Sequence, residues 1–388
     1  SYTLQQMNEF FQQMSGEISN DKLNSATYYA CMDIRCKSLA KLPLKLYKET
    51  EKGKEKANDF YLYNLIKERP NPYMSMHDFL YAVEFQKLEY GNAYIAMVVE
   101  KGKIQELYPL ESNKVTIWVD DAGIIGKSNA VWYEYTNKLG QSIKFRHSEI
   151  AHLKNFSKDG ITGIPIKKYL AEVIENEQYG NTFLNNHFKN GLSGGAVLNY
   201  TSDLKDERVT QLREKFEKMT SGIKNAGRIM PVPIGFKLEP FNISLVDSEF
   251  FKMQGLTVRH IANAFGVKLF QLNDLERSTY GNVETQNIAY YSDTLQNTIT
   301  QAEQEFDYKF LTKDHRKQGY FFKFNVDSIL RSDFKTRMEG YALAIQNAIY
   351  SPADCREKED MIFIEGSDRL VCNGNMIPLN QAGKQYQE

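Results

Sequence analysis

Residues 282–311 read NVETQNIAYYSDTLQNTITQAEQEFDYKFL, and this stretch sets the architecture of the chain. Its apolar side chains recur every three or four residues, at Ile288, Tyr291, Leu295, Ile299, Ala302, Phe306 and Phe310. That spacing predicts one amphipathic helix of roughly 30 residues, spanning on the order of 45 Å. A helix of about twice the usual length is expected to cross between regions of the chain or to pack against a neighbouring chain. The alternative is a kinked helix inside one core.

Two further helices are predicted upstream, over residues 203–221 and 248–265. The apolar face of the first consists of Val209, Leu212, Phe216 and Met219. The Gly- and Pro-rich residues 222–240 between them are expected to hold two short strands, which makes a helical hairpin with a β tip. A polar loop, residues 272–281, then leads into the long helix.

The N-terminal part begins with a helix over residues 25–39. Pro43 ends this helix and starts an extended segment, and the Lys/Glu-rich residues 49–56 are interpreted as a solvated loop. Ser75 can cap a second helix that ends at Gly91.

Residues 93–153 have the composition and spacing of short β-strands. Short runs rich in β-branched and aromatic residues occur at 94–99, 115–119, 131–135, 143–145 and 150–153. Because Gly, Asn and Asp turns separate them, we expect a small antiparallel β region. A loop, a helix and a strand then follow, at residues 159–165, 166–188 and 195–200.

The last predicted helix has a single apolar face and ends at Ser351-Pro352. This face comprises Phe334, Met338, Tyr341, Ala342, Ile345 and Ile349. After Cys372 the sequence becomes polar.

Bulk composition narrows the class of protein. With 388 residues the chain exceeds the usual single core, so two or more packed regions are expected. Its 48 basic and 49 acidic residues give a formal charge of -1, which excludes the strong positive field of a sequence-independent DNA binder. No apolar run approaches the roughly 20 residues of a membrane helix, so we expect a soluble protein. The four cysteines form neither a metal-binding nor a disulfide pattern, which predicts reduced, mostly buried thiols.

Two motifs resemble catalytic signatures. Gly126-Lys127-Ser128 looks like the end of a phosphate-binding loop, but Asp121 stands where that pattern requires glycine, so we interpret the segment as a β-turn. Residues 191–195 read GLSGG and match the nucleophile-elbow pattern around Ser193. The elbow needs a strand before the serine and a helix after it, whereas here the order is reversed. The segment therefore reads as a helix end and a loop.

Three residues could be metal ligands: His147, Glu149 and His152. Strand alternation would place the first two on one face and His152 on the other, which favours surface or sheet-edge roles. We therefore expect no catalytic residue, no metal and no cofactor.

Several blocks of sequence occur in a defined order along nearly the whole chain. They are YAC at 29–31, LPLKLY at 42–47, RPNP at 69–72, GNAY at 91–94, LYPL at 107–110, DGITGIP at 159–165, FKNG at 188–191, IANAFGV at 261–267 and QN at 286–287. Each is weak alone, but their order and spacing are specific. Together they resemble the portal proteins of tailed bacteriophages, in particular the compact portal family of long-tailed phages and prophages. Departures occur at residues 351–356, which lack the asparagine of the family's Thr-x-Asn-Glu-x-x-Arg pattern, and at Lys268, where the family often has proline.

The resemblance implies an α+β portal fold in a ring, typically of about twelve copies, around a central channel. The implied parts are a mixed α/β wing at 1–202, a stem of two helices at 203–221 and 248–265, a small β-containing clip at 222–247, a tunnel-loop region at 266–281, a long bridging helix with a return strand of the wing at 282–330, and a helical crown with a C-terminal tail at 331–388.

The resemblance also implies site residues and partners. Channel-lining residues would be Asn273, Asp274, Glu276, Arg277, Ser278, Thr279 and Tyr280. Clip residues that meet partners would be Lys224, Arg228, Phe236 and Lys237. The expected partners are further copies of the chain, double-stranded DNA held without sequence specificity, a terminase motor, the major capsid or scaffold protein and a head-tail adaptor. The expected location is the virion, and the cytoplasm of the infected bacterium during assembly.

Rival interpretations predict different features. Another head-tail adaptor or minor capsid protein would lack the long bridging helix and the loop before it. An enzyme would use Ser193 as the nucleophile of a hydrolase or Lys127 in a nucleotide site.

Overall fold

The computed structural model describes residues 25–51, 53–125, 127, 129–137, 139–190, 196–200, 210–211, 214, 236–240, 246–274, 280–326, 334–359 and 361–371. The chain divides into two compact units, Ser1–Asn325 and Val326–Glu388. The first combines antiparallel sheets with helices, and the described part of the second is helical. The α+β class is therefore confirmed.

Helices account for much of the described chain. They are α1 Ala26–Ala40, α2 Leu62–Lys67, α3 Met76–Tyr90, α4 Ile166–Asn190, α5 Val246–Phe265, α6 (Tyr280–Tyr290, a π-helical turn Tyr291–Leu295, and Gln296–Phe310), α7 Lys313–Lys317, α8 Phe334–Gln346 and α9 Pro352–Lys358. Among the described residues, no helix is both long and apolar enough to cross a membrane.

The strands of the first unit are short. They are β1 Leu44–Thr50, β2 Gly53–Lys56, β3 Asn92–Glu100, β4 Lys103–Leu110, β5 Val115–Val119, β6 Val131–Thr136, β7 Ser142–Arg146, β8 Ile150–Lys154, β9 Phe156–Ser157, β10 Gly163–Ile164, β11 Ala196–Tyr200, β12 Phe236–Pro240 and β13 Tyr320–Phe324.

Local sequence signals place α1 and α3 as predicted. The Ser25 hydroxyl accepts a hydrogen bond from the Tyr28 backbone N–H at the start of α1. Ser75 and Asp78 form a reciprocal capping box that satisfies two unpaired groups at the start of α3. Two of the three free cysteines that the structure describes lie buried on α1, which agrees with the predicted reduced thiols.

The predicted antiparallel β region consists of two three-stranded sheets, ordered β4-β3-β8 and β5-β6-β7. Side chains of both sheets form one core cluster, of which Tyr94, Ala96, Tyr133, Phe145 and Ile150 are members. Strand β4 was not among the predicted strands, and it contains Pro109. It forms because β4 lies at the edge of its sheet, where a missing N–H costs no ladder hydrogen bond.

The Lys/Glu-rich residues 49–56 are not a loop, and the prediction was wrong. They form the hairpin between β1 and β2, with Thr50 opposite Gly53. On its other edge β1 pairs with β13, so the return strand after α6 is joined to the N-terminal part of the chain.

The long helix exists as predicted, and its apolar stripe is buried at Leu295, Ile299, Phe306 and other positions towards its C-terminal end. Upstream of Leu295 the π turn adds one residue to the helical repeat. Tyr290 is therefore buried in place of the predicted Tyr291, and Ile288 is half exposed.

The predicted helical hairpin is described in part. Its second helix is α5, whereas most of residues 203–221 and of the tip lies outside the described residues. One of the two strands expected in residues 222–240 is β12, and it pairs with β11 in antiparallel register. The neighbouring helices α4 and α5 pack together.

In the second unit, α8 ends at Gln346, earlier than predicted, and Pro352 begins a new helix. The Ser351 hydroxyl and Asp354 form a capping box, and proline is favoured in the first helical turn because its missing N–H has no partner there. Arg337 and Tyr341 of α8 both contact the carboxylate of Glu359.

Gly91 joins α3 to β3 with a positive φ of 80°, and a Cβ there would lie 2.6 Å from the backbone of Ile164. Gly140 has a similar φ of 78° but open space around it. We expect Gly140→Ala to cost about 1 kcal/mol of stability from backbone strain alone. Gly91→Ala should cost at least about 2 kcal/mol more, because backbone atoms must also move. Thermal unfolding midpoints that fell equally for both variants would contradict this packing.

Candidate functional site

The segment after α5 is the base of the predicted channel loop. It leaves the helix through Gly266, whose φ is 68°, and the Val267 N–H donates to the Ala262 carbonyl at 2.9 Å. A 3-10 turn, Leu269–Leu272, follows and ends at Asn273, whose φ is 63°. Two residues in the left-handed conformation, Gly266 and Asn273, therefore mark where the chain leaves α5 and where the 3-10 turn ends.

The loop base is attached to the π turn of α6. A Cβ on Gly266 would lie 2.5 Å from the Thr294 hydroxyl, so only glycine fits there without displacement. That hydroxyl donates to the Gly266 carbonyl at 2.8 Å, and the Lys268 ammonium lies 3.1 Å from Asp293. Both partners on α6 belong to the π turn, and such turns are frequent at functional positions.

A buried polar cluster lies behind this contact. The Arg35 guanidinium of α1 donates to the Phe265 carbonyl at 2.7 Å, to Glu84 of α3 at 2.9 Å and to the Thr298 hydroxyl of α6 at 3.2 Å. The Lys87 ammonium of α3 lies 2.6 Å from the other Glu84 oxygen and 3.3 Å from Thr298. One cluster thus joins four helices at the point where the loop begins.

The charges of this cluster do not balance, because two cations share one carboxylate. Burial raises the pKa of Glu84, but the neighbouring Lys87 and Arg35 charges outweigh it and hold that pKa below its ordinary value. Burial lowers the pKa of Lys87, and the Arg35 charge adds to this effect. Arg35 Nε is buried without a hydrogen-bond partner.

The residues expected to line the channel are only partly described. Asn273 and Asp274 lie at the loop base, and the Asp274 N–H donates to the Leu269 carbonyl. Tyr280, expected in the loop, is the first residue of α6. Glu276, Arg277, Ser278 and Thr279 lie outside the described residues.

The residues expected in the clip are described for β12 alone. Phe236 lies opposite Tyr200 and Lys237 opposite Asn199 in the pairing of β12 with β11. Lys224 and Arg228 lie outside the described residues. Their contacts with partners stay a prediction.

The possible metal ligands His147, Glu149 and His152 do not share one strand, so the expected alternation was wrong. His147 and Glu149 belong to a 3-10 turn. His152 lies on β8, an edge strand of its sheet, but it is buried rather than at the surface. Within the described ranges, no group of three or more His, Cys, Asp or Glu side chains could hold a metal ion.

His152 instead joins the two sheets. The Asn92 amide nitrogen donates to the Gly163 carbonyl, so Asn92 Oδ1 is the acceptor from His152 Nε2 at 2.9 Å. His152 Nδ1 then accepts from the Tyr133 hydroxyl at 3.2 Å, and His147 Nδ1 donates to the same hydroxyl at 3.3 Å. Burial lowers the pKa of His152 to about 2, which keeps it neutral.

Of the two motifs that resemble catalytic signatures, the structure describes Lys127. The Lys127 ammonium pairs with Asp120 at 3.0 Å on an exposed loop between β5 and β6, which agrees with a turn. Ser193 lies outside the described residues.

Known structures share this fold. The neck of a native gene transfer agent particle, computed with C12 symmetry, superposes with a TM-score of 0.57 at 20% identity and covers 93% of this chain and 94% of that chain. The crystal structure of an HK97-family phage portal protein from Corynebacterium diphtheriae superposes with a TM-score of 0.57 at 12% identity, over 79% and 94% of the two chains. These matches define the fold class as that of phage portal proteins.

Sequence relatives give the family. The portal protein of Enterobacteria phage HK97 is 25% identical over 93% of this chain and 84% of its own length. The probable portal protein of Streptomyces phage phiC31 is 27% identical over 88% and 76%. The family model described as phage portal protein matches residues 26–360. The chain therefore belongs to the phage portal protein family, whose members are head-tail connector components of the virion.

The charge imbalance of the buried cluster predicts unequal effects of removing its members. Glu84→Gln leaves two buried cations without a carboxylate and should cost about 3–5 kcal/mol of stability. Lys87→Met leaves one Arg35–Glu84 pair, keeps the packing of the side chain and should cost less than about 1 kcal/mol. Denaturant unfolding curves of the two variants measure the difference. Equal losses of stability in the two variants would contradict the prediction, because they would show that the Lys87 charge is needed to balance the cluster.

Proposed function

We propose that the chain forms a closed ring at one vertex of a phage capsid and that double-stranded DNA passes through its central channel during packaging and ejection. The observation that carries the proposal is the attachment of the loop base, Gly266 to Asp274, to the π turn of α6. A loop that contacts a moving polymer needs a rigid attachment to the rest of the subunit. The buried Arg35–Glu84–Lys87 cluster and the Thr294 hydrogen bond supply such a support.

The parts of the subunit follow the family architecture. We assign residues 1–202 to the wing, 203–221 and 248–265 to the stem, 222–247 to the clip, 266–281 to the tunnel-loop region, 282–330 to the bridging helix with its return strand, and 331–388 to the crown and tail. The pairing of β1 with β13 supports the return strand, because it joins the chain after α6 to the N-terminal region. The pairing of β11 with β12 supports a β-containing clip base.

The near-zero net charge of the chain favours passage of DNA through the channel over tight binding of DNA. A channel that neutralised many phosphates would release many counterions and hold the DNA strongly. A chain with a formal charge of -1 has no such excess of cations. Loop residues 273–280 would contact the DNA backbone without reading bases.

Partners and location follow from the same role. The clip, including Lys224, Arg228, Phe236 and Lys237, would dock the terminase motor during packaging and a head-tail adaptor afterwards. The capsid or scaffold protein would surround the ring, which assembles in the cytoplasm of the infected bacterium. The subunit would act as a structural conduit and not as an enzyme. The long helix α6 and the loop before it favour a portal over an adaptor, which needs neither.

Replacing residues 275–279 by five Gly and Ser residues tests the role of the loop. Ring formation should persist, because the cluster and the Thr294 contact lie outside the replaced segment. DNA packaging or retention in assembled particles should fall at least about tenfold, since the contact with DNA is removed.

The control is the same replacement of residues 121–125, an exposed turn between β5 and β6. This control should leave packaged DNA unchanged. Particles that package and retain DNA normally after the replacement of residues 275–279 would refute the loop assignment.

A further inference from the structure

A cavity of about 520 Å³ opens beside the loop base, and its lining combines cationic and amide residues with apolar ones. Three cationic side chains line it, those of Arg35, Lys87 and Lys154. The lining also contains the side-chain amides of Asn155, Asn263, Asn297 and Gln301. Its one acidic lining residue is Asp293, which is paired with Lys268.

The groups around the cavity have an excess of positive charge. Glu84 is shared by Arg35 and Lys87, and Arg35 Nε has no hydrogen-bond partner. Lys154 is half-buried, burial lowers its pKa, and Glu305 and Asp159 offset that effect in part. A buried cation that has no anion to balance its charge lowers the stability of the protein, and an anion that binds beside it removes this cost. The cavity therefore fits a carboxylate or another small anion.

The rim of the cavity resembles a protein interface. Phe156 and Tyr169 line it and are about half exposed, at 55% and 52%. Their rings meet edge to face, with 5.6 Å between the ring centroids. Exposed aromatic side chains around a polar centre are typical of protein-protein contacts, whereas a site for an inorganic ion needs no apolar rim.

Position within the ring indicates which protein would reach the cavity. Phe265 and Gly266 line it, so it adjoins the segment that leads into the channel loop. In a closed ring the arc available to each subunit shrinks towards the axis, so elements near the channel lie closest to the next copy. A ring interface is heterologous, which means that a cavity on one copy meets a different surface of its neighbour.

We propose that this cavity receives a carboxylate side chain of the neighbouring copy of the same chain, seated against Lys154 and the Arg35–Lys87 pair and covered by Phe156 and Tyr169. The inference rests on the proposed ring. It makes the cavity an assembly site, in which the excess positive charge of each subunit is compensated when the ring closes.

The test compares two substitutions at the cavity with two matched controls on the full-length chain. Lys154→Gln and Tyr169→Ala alter the lining, whereas Lys158→Gln removes an exposed lysine close by and Tyr179→Ala removes an exposed tyrosine of the same helix. Native mass spectrometry measures the subunit concentration at which half of the chain is in rings. We expect both cavity variants to raise it at least about tenfold, and the controls to leave it unchanged. Thermal unfolding of unassembled subunits confirms that all four variants fold.

The outcomes separate this inference from the proposed function. If the wild-type chain forms rings and Lys154→Gln and Tyr169→Ala assemble normally, the role proposed for the cavity is wrong and the ring still stands. The same conclusion follows if the control variants lose as much ring assembly as the cavity variants. Wild-type chain that never forms rings would overturn both. Inorganic phosphate provides a further arm at constant ionic strength. A higher unfolding midpoint in phosphate for the wild-type subunit, but not for Lys154→Gln, combined with ring assembly of both cavity variants at the wild-type concentration, would show a free anion as the occupant and would refute the carboxylate of a second copy.

Discussion

The carboxylate of Glu84, shared between Arg35 and Lys87, is the interaction on which the first unit depends. Buried charges cost several kcal/mol each unless their partners are well placed, so the four helices that supply the partners are held in one arrangement. The Phe265 carbonyl and the Thr298 hydroxyl complete the cluster from α5 and α6. The geometry of the loop base follows, because Phe265 is the last residue before the chain turns at Gly266.

The π turn of α6 adapts the long helix to this constraint. One extra residue in the helical repeat brings Tyr290 into the core and presents Thr294 to Gly266. The same insertion leaves Ile288 half exposed, whereas Ile299 and Phe306 further along the helix are buried. In the proposed ring, the exposed apolar side chain of Ile288 is available to a neighbouring copy.

Sequence periodicity and capping predicted much of the fold, because these signals are local. The helix that begins near Ser25, the cap at Ser75, the antiparallel region and the helix through Phe306 all appear in the structure. Strand β4 and the hairpin around Gly53 were missed, since β4 contains Pro109 and β2 is rich in Lys and Glu, so that composition does not indicate a strand. Both strands form by pairing with the strand that precedes them in the chain. The buried cluster was also invisible, because nothing in the sequence brings Arg35 close to Thr298, 263 positions away. The channel and clip residues came from family resemblance, and among those that the structure describes, Asn273 has a left-handed backbone conformation.

In the proposed ring, identical copies arranged around an axis complete the apolar and charged surfaces of each subunit. A heterologous contact that closes gives a ring, and one that does not close gives a filament. Electron microscopy of the purified full-length chain, viewed end on, tests this most directly. We expect closed rings of uniform copy number with a central opening wide enough for duplex DNA. Particles that stay compact monomers at every concentration tested, or that form open filaments, would contradict it.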